Sequence, residues 1–183
     1  YRLFVSGNSY TGKNTTSFSV VRYGNVMGSR GSVIPYFLSI KKDGVLPITD
    51  NRMTRFMITL EEAVEMVWNA FNDMKGGEIY VKKIPSMKIT DIAKAVSPNS
   101  KQKEVGIRPG EKLHEQMISP EDAFYTYEYS KYFKILPSIN DWSLDPERIG
   151  DGKKVSPEFT YNSNNNTEWM TIKFLQSWIK NNL

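Results

Sequence analysis

The residues best suited to chemistry are five arginines, Arg22, Arg30, Arg52, Arg55 and Arg108, each beside a predicted strand end or turn. A planar guanidinium on a rigid element grips phosphate through two parallel hydrogen bonds, so the set points to recognition of an anion. Arg108 has the most defined setting. Arg108-Pro109-Gly110-Glu111 is a turn by its Pro-Gly core, and Glu111, three residues on, can accept hydrogen bonds from a ribose. Asn25 lies just past a predicted buried strand, at the carboxyl end of a sheet, where open α/β folds bind ligands. For any one arginine, a solvated or ion-paired surface role stays open.

Acid–base and metal chemistry find little support. The chain has one histidine, His114, and no cysteine. Without cysteine there is no disulfide scaffold, cysteine-based zinc site or thiol nucleophile. His114 stands beside Glu111, Lys112 and Glu115 with no metal-ligating partner at i+4, so a surface or hydrogen-bonded histidine is expected and no metal site. Asp43, Asp50 and Asp73 read as turn residues, and Glu61 and Glu62 as first-turn helix residues complementing the dipole. Gly24, Gly28 and Gly31 follow a strand and precede a helix, but their spacing is not that of a dinucleotide fingerprint. Asn162 to Asn166 and the tyrosines 125, 127, 129 and 132 suggest glycan stacking, or else turn asparagines and strand-packed rings.

The elements that must position these residues follow from pattern. Tyr1 to Ser6 reads as the tail of a helix and Ser17 to Tyr23 as a buried strand running into the glycine-rich loop 24–32. A helix is predicted over 33–42, with Ser32 as N-cap and Pro35 in its first turn. Strands are expected at 46–49 and 55–59. Thr59 and Glu62 form a capping box for a helix over 60–74, which puts Ala63, Val64, Val67, Trp68 and Phe71 on one stripe. Gly76-Gly77 stops it. A strand at 78–81, a helix at 89–96, a strand at 104–107, an extended hairpin at 124–135, a loop at 143–157 and a closing helix at 168–181 complete the reading. In that last helix Trp169, Ile172, Leu175, Trp178 and Ile179 are expected inward. Alternating strands and helices give an α/β fold.

With 183 residues, 39% of them hydrophobic, the chain can bury a core. The net charge of +4 comes with scattered basic residues, so no nucleic-acid partner is expected. Its apolar runs are too short to span a bilayer and Tyr1 opens no secretory signal pattern, so no membrane partner and a cytoplasmic, reducing setting are expected. A start at Tyr1 rather than Met suggests a piece of a longer chain.

The run Ser17-Phe18-Ser19-Val20-Val21-Arg22-Tyr23-Gly24-Asn25-Val26-Met27-Gly28-Ser29-Arg30-Gly31-Ser32-Val33-Ile34-Pro35 resembles the segment after the catalytic helix of inverting UDP-N-acetylglucosamine 4,6-dehydratases. These belong to the extended short-chain dehydrogenase/reductase superfamily and include polysaccharide-biosynthesis and flagellin-glycosylation enzymes. Further matches are Leu46-Pro47-Ile48-Thr49-Asp50, Met53-Thr54-Arg55-Phe56, Gly77-Glu78-Ile79, Ile84-Pro85-Ser86-Met87 and the stretch from Gly106 through Arg108-Pro109-Gly110-Glu111 to Glu115. The likeness is dense from about Leu3 to Pro120 and thins toward the tail.

The resemblance implies a Rossmann-type cofactor domain, of which residues 1–32 would be the end, and a smaller α/β substrate domain formed mainly by 33–183, with some segments able to return to the first. It implies bound NADP, a UDP-sugar substrate and homo-oligomers. Hydride leaves C4 of the sugar, a base removes the C5 proton, the C6 hydroxyl departs and hydride returns to C6 with inversion at C5. The 4-keto-6-deoxy product would feed pseudaminic acid, capsule or O-antigen synthesis.

By the same resemblance, Asn25 contacts substrate, Val26 sits beside the nicotinamide, Arg108 and Glu111 hold the diphosphate and ribose, and Arg55 is a second phosphate-facing arginine. Val33 and Ile34 offer backbone groups to the uracil. The glycine-rich loop, the acid–base pair and the Tyr-x-x-x-Lys pair of the family all fall upstream of Tyr1. No residue here is therefore expected to be catalytic, and the chain alone is expected to be inactive. A stand-alone nucleotide-sugar-binding module and a related sugar-nucleotide epimerase are the alternatives.

Overall fold

The computed structural model describes residues 2–11, 16–138 and 146–183. In chain order the elements are α1 (Arg2–Gly7), β1 (Val20–Arg22), β2 (Asn25–Val26), α2 (Val33–Ile40), β3 (Val45–Ile48), β4 (Thr54–Ile58), α3 (Leu60–Asp73), β5 (Ile79–Lys82), β6 (Ser86–Lys88) and α4 (Ile89–Val96). There follow β7 (Lys101–Glu104), β8 (Gln116–Ile118), α5 (Pro120–Ala123), β9 (Thr126–Glu128), β10 (Tyr132–Ile135), α6 (Pro146–Ile149), β11 (Lys153–Lys154), β12 (Tyr161–Asn162) and α7 (Ile172–Asn182). The fold is α/β, as expected. Part of the predicted 143–157 loop lies outside the described residues; the rest forms α6, β11 and their flanks.

Two compact units interleave along the chain. Tyr1–Tyr23, Glu61–Lys83 and Met117–Tyr161 make the first; Gly24–Leu60, Ile84–Gln116 and Asn162–Leu183 make the second.

The first unit is built on a five-stranded sheet in the order β1-β5-β10-β9-β11. β1 runs parallel to β5, and the remaining pairs are antiparallel. The aromatic-rich segment 124–135 thus contains the expected hairpin. Its tyrosines serve packing: Tyr129 and Tyr132 stack at 4.6 Å, and the Tyr129 hydroxyl donates to the Ile149 carbonyl at 2.5 Å. Glu78, 1% exposed, locks the Gly76-Gly77 turn. Its carboxylate accepts from Ser19 Oγ (2.7 Å), the N–H groups of Lys75 (3.0 Å) and Gly76 (2.8 Å), and Arg148 Nη1 (2.5 Å). A buried carboxylate endures only with such complete pairing.

Helix α3 presents a different face from the predicted one. Ala63, Met66 and Ala70 are buried at helical spacing, whereas Val64, Val67, Trp68 and Phe71 are 46–66% exposed. Met66 and Ala70 meet Tyr80, with Val21 packed beside them, so the 63-66-70 line lies against the sheet and the Val64, Val67, Trp68 and Phe71 face stands off it. Periodicity locates an apolar stripe, but the packing partner selects the buried line.

The second unit packs α2, α4 and α7 around two short sheets, β2-β4-β6 and the parallel pair β3-β7. Its core includes Met27, Ile34, Phe37, Leu46, Ile48, Met57, Met87, Ile92 and Leu175. Helix α4 arises from apolar residues at 89, 92, 93 and 96, all buried, and Ser97 N–H closes it on the Ala93 carbonyl. The strand expected at 104–107 forms earlier, at Lys101–Glu104, where it pairs with Val45–Ile48. Helix α7 begins at Ile172 with Thr171 as N-cap, leaving Trp169 outside it and 42% exposed. Ser32 has the backbone of an N-cap for α2 but gives it no side-chain bond.

Candidate functional site

The second unit contains a cavity of about 600 Å³. Small-molecule sites typically measure about 300–1,000 Å³. Asn25, Val33, Arg55, Arg108 and Glu111 all line it, joined by Tyr36, Thr49, Met53 and Val105. Three separated stretches of sequence therefore supply the polar residues singled out from sequence.

Each is positioned by a distinct local device. Asn25 opens β2, where it pairs in parallel register with Met57 of β4. That pairing needs Gly24: a Cβ there would stand 2.4 Å from Phe56 Cβ and 2.5 Å from the Phe56 carbonyl oxygen. Gly24 thus admits a neighbouring strand. Gly31, with φ +77° and open space around it, is the loop glycine that lines the cavity.

Arg55 projects from β4, whose antiparallel register with β6 sets it opposite Met87. Its side chain is 13% exposed. Nη1 donates to the carbonyls of Thr54 (2.7 Å) and Leu113 (3.2 Å), and Nε lies 4.0 Å from Glu115 Oε1. The Nη2 edge of the fork is spent on neither carbonyl bond. Arg108 is exposed and begins the predicted turn, closed by the Glu111 N–H on the Arg108 carbonyl (3.0 Å); Gly110 adopts φ +84° there. The Arg108 N–H donates to Glu111 Oε2 (3.1 Å), which leaves Oε1 outside that bond. The cavity wall therefore carries two guanidinium groups and one carboxylate, a balance suited to an anion that also bears hydroxyls.

Ile34 and Val26 do not line the cavity. Ile34 is 1% exposed in the core, and Val26 pairs with Ile58 on β2. Of the other arginines, Arg22 donates to the Met117 carbonyl (2.7 Å) and pairs with Asp122 (2.9 Å). Arg52 pairs with Asp50 at 2.8 Å and holds that carboxyl at about 2. Both tie protein to protein. Asn166 does the same, donating to the carbonyls of Ile84 (2.8 Å) and Glu168 (2.9 Å) and to Ser86 Oγ (3.1 Å). His114 is hydrogen-bonded through Nδ1 to Thr54 Oγ1 (2.8 Å), and its burial, with Arg55 and Arg52 nearby, lowers its pKa.

Sequence reasoning passed over Glu115. Its Oε2 accepts from the Phe56 N–H (2.9 Å), and the Asn25 amide, with its nitrogen turned to satisfy both groups, donates to Oε1 at 2.8 Å. Burial pushes its carboxyl above the ordinary carboxylate range, against the pull of the Phe56 N–H, Arg55 and Lys112. Only its place after the Arg-Pro-Gly-Glu turn hinted at a role, since its partner is 90 positions away.

Strand ends and a rigid turn that converge arginines, an amide and a carboxylate on one cavity define an α/β ligand-binding unit. The chain belongs to the polysaccharide biosynthesis protein family, whose model matches residues 2–137. It is 51% identical, over 95% of its length, to a UDP-N-acetylglucosamine 4,6-dehydratase (inverting) of Campylobacter jejuni, and 35% identical, over 92%, to a UDP-glucose 4-epimerase of Rickettsia canadensis. The chain covers 54% and 53% of those proteins, about half the length of the relatives it matches. The crystal structure of Pen from Bacillus thuringiensis superposes with a TM-score of 0.83 at 32% identity, covering 98% of this chain and 55% of that one. The architecture is accordingly that of part of an extended short-chain dehydrogenase/reductase. Among the described residues, no helix is long and apolar enough to cross a membrane.

Proposed function

We propose that this chain supplies the substrate-binding part of an NADP-dependent UDP-N-acetylglucosamine 4,6-dehydratase that inverts C5. The observation that carries the reading is the convergence of Asn25, Arg55, Arg108 and Glu111 on one cavity, in a chain 51% identical to a dehydratase of that name. Arg55 and Arg108 grip the diphosphate, Glu111 accepts from the ribose and Asn25 meets the substrate, while the Val33 segment of the wall borders the base. Binding energy from the nucleotide, remote from the reacting carbons, then holds the sugar in place for reaction.

NADP supplies hydride acceptance and return when bound. Val26 is the one residue assigned beside it; the sequence carries no glycine-rich fingerprint that would hold a dinucleotide. The same reading takes residues 1–32 as the end of a cofactor domain and 33–183 as most of a substrate domain, and expects a homo-oligomer serving pseudaminic acid, capsule or O-antigen synthesis. The uracil role of Ile34 is carried by backbone alone, its side chain being in the core.

The test is product analysis by NMR after the gene's full product is incubated with UDP-N-acetylglucosamine and NADP. A 4-keto-6-deoxy sugar nucleotide inverted at C5 is expected, and none from the 183-residue chain alone. A C4 epimer would favour the epimerase reading, which the 35% identity to the Rickettsia protein supports less well. Binding of UDP without turnover by the full product would leave a binding module.

A further inference from the structure

Behind the cavity wall lies a carboxylate with an unusual number of ties to it. Glu115 is fixed at both backbone groups by Ser163, which is fully buried: the Glu115 N–H donates to Ser163 Oγ (2.9 Å), and the Ser163 N–H donates to the Glu115 carbonyl (2.8 Å). Ser163 Oγ is itself 2.6 Å from Thr54 Oγ1 at the root of β4. So anchored, the carboxylate spends Oε2 on the Phe56 N–H and Oε1 on the Asn25 amide, with Arg55 Nε 4.0 Å from Oε1. Asn25 and Arg55 both line the cavity, whereas Glu115 does not.

We propose that Glu115 is a positioning residue of this site: its fixed carboxylate holds the Asn25 amide and steadies the Arg55 guanidinium from behind, so that both meet the ligand in one orientation. The inference rests on the reading of the cavity as a sugar-nucleotide site. An asparagine amide can turn over and a guanidinium can swing, and each such freedom must be frozen on binding. Glu115 freezes them beforehand. It holds the Asn25 nitrogen, 2.8 Å from Oε1 and 3.3 Å from Oε2, so that the amide keeps one orientation, and it opposes withdrawal of Arg55 toward solvent.

The role requires the ionised form, since a protonated carboxyl would present a donor where the Asn25 N–H needs an acceptor. The groups acting on it are Asn25 on β2, Arg55 and the Phe56 N–H on β4, and Lys112 on its own segment, where His114 is the residue before it. Because its carboxyl titrates above the ordinary range, ligand affinity should decline as pH falls through that titration. A diphosphate diester has no monoester proton to titrate there, which makes UDP-N-acetylglucosamine the right probe.

The experiment is calorimetric titration of UDP-N-acetylglucosamine into the protein expressed from its full gene. The unmutated form is compared with Glu115→Gln, Asn25→Ala, their double variant and Arg108→Ala, each checked by thermal unfolding. Glu115→Gln is expected to lose about tenfold in affinity, as charge-assisted hydrogen bonds are released. In the Asn25→Ala background the same change should cost much less, and the decline of affinity at low pH should disappear in Glu115→Gln but persist in His114→Asn. If Arg108→Ala weakens binding while Glu115→Gln binds as the unmutated protein does, the inference is overturned and the sugar-nucleotide reading stands. If the unmutated protein does not bind the probe, that reading falls and takes the inference with it. Should Glu115→Gln not fold, the pH profile of the unmutated protein decides: a flat profile overturns the proposal.

Discussion

The two arginines of the cavity differ in setting, and that difference predicts how each contributes. Arg55 has a side chain only 13% exposed and is oriented in advance by the Thr54 and Leu113 carbonyls, so it brings little rotamer entropy to be lost when a phosphate arrives. Arg108 is exposed on a turn, and its side chain must be ordered in competition with water and salt. A charge-assisted hydrogen bond contributes about 1.5–3 kcal/mol. Taking roughly 2 kcal/mol for Arg55, its replacement by alanine should weaken UDP binding about 30-fold. For the exposed Arg108 about 1 kcal/mol is appropriate, or roughly fivefold. Salt separates them further, because the Debye length shrinks from about 10 Å at 0.1 M to about 3 Å at 1 M and screens exposed charges first. Calorimetry of UDP binding at low and high sodium chloride, on the unmutated protein, Arg55→Ala and Arg108→Ala, reads this directly. The Arg108 contribution should largely vanish at high salt and the Arg55 contribution should survive. Equal losses for the two variants at both salt concentrations would refute the argument from burial and pre-orientation.

Three further outcomes concern stability. Glu78→Ala removes the acceptor shared by Arg148, Ser19 and two backbone N–H groups, and should cost about 3 kcal/mol in urea unfolding; a loss below about 1 kcal/mol would mean that the buried cluster does not hold the turn. Gly24→Ala forces a Cβ within 2.5 Å of β4 and should destabilise by about 1–3 kcal/mol, with circular-dichroism melting as the measure; an unchanged midpoint would contradict the close approach of β2 and β4. Asp50, held at about 2 by Arg52 against a usual 3.8, contributes stability that is present above pH 4 and lost as pH falls toward 2. Asp50→Asn should remove that slope from the acid unfolding curve, and an identical curve would show the pair to be idle.

Much was legible along the chain because it depends on neighbours. The hairpin in 124–135 follows from its aromatic-rich composition, helix α4 from apolar spacing, and the Arg108–Glu111 turn from Pro-Gly. Site residues were legible for another reason: Asn25, Arg55, Arg108 and Glu111 sit in ordered runs that resemble one enzyme group, although nothing in their spacing brings them together. The same limit explains the misreadings. An apolar stripe on α3 was visible, but which line of it is buried depends on Tyr80 and Val21, contributed by other strands. The strand expected at 104–107 formed at 101–104 because its partner is Val45–Ile48.

By itself, then, the sequence determined the class of fold, the local turns and caps, and the kinds of group able to meet an anionic sugar derivative. Tertiary structure alone decided that Arg22 and Arg52 are spent on Asp122 and Asp50, while Arg55 and Arg108 face a cavity. It also decided that Glu115 stands behind Asn25. The reason is physical. Helices, turns and alternation arise from interactions a few residues long, whereas the worth of a charge depends on which opposite charge, amide or solvent the folded chain sets beside it.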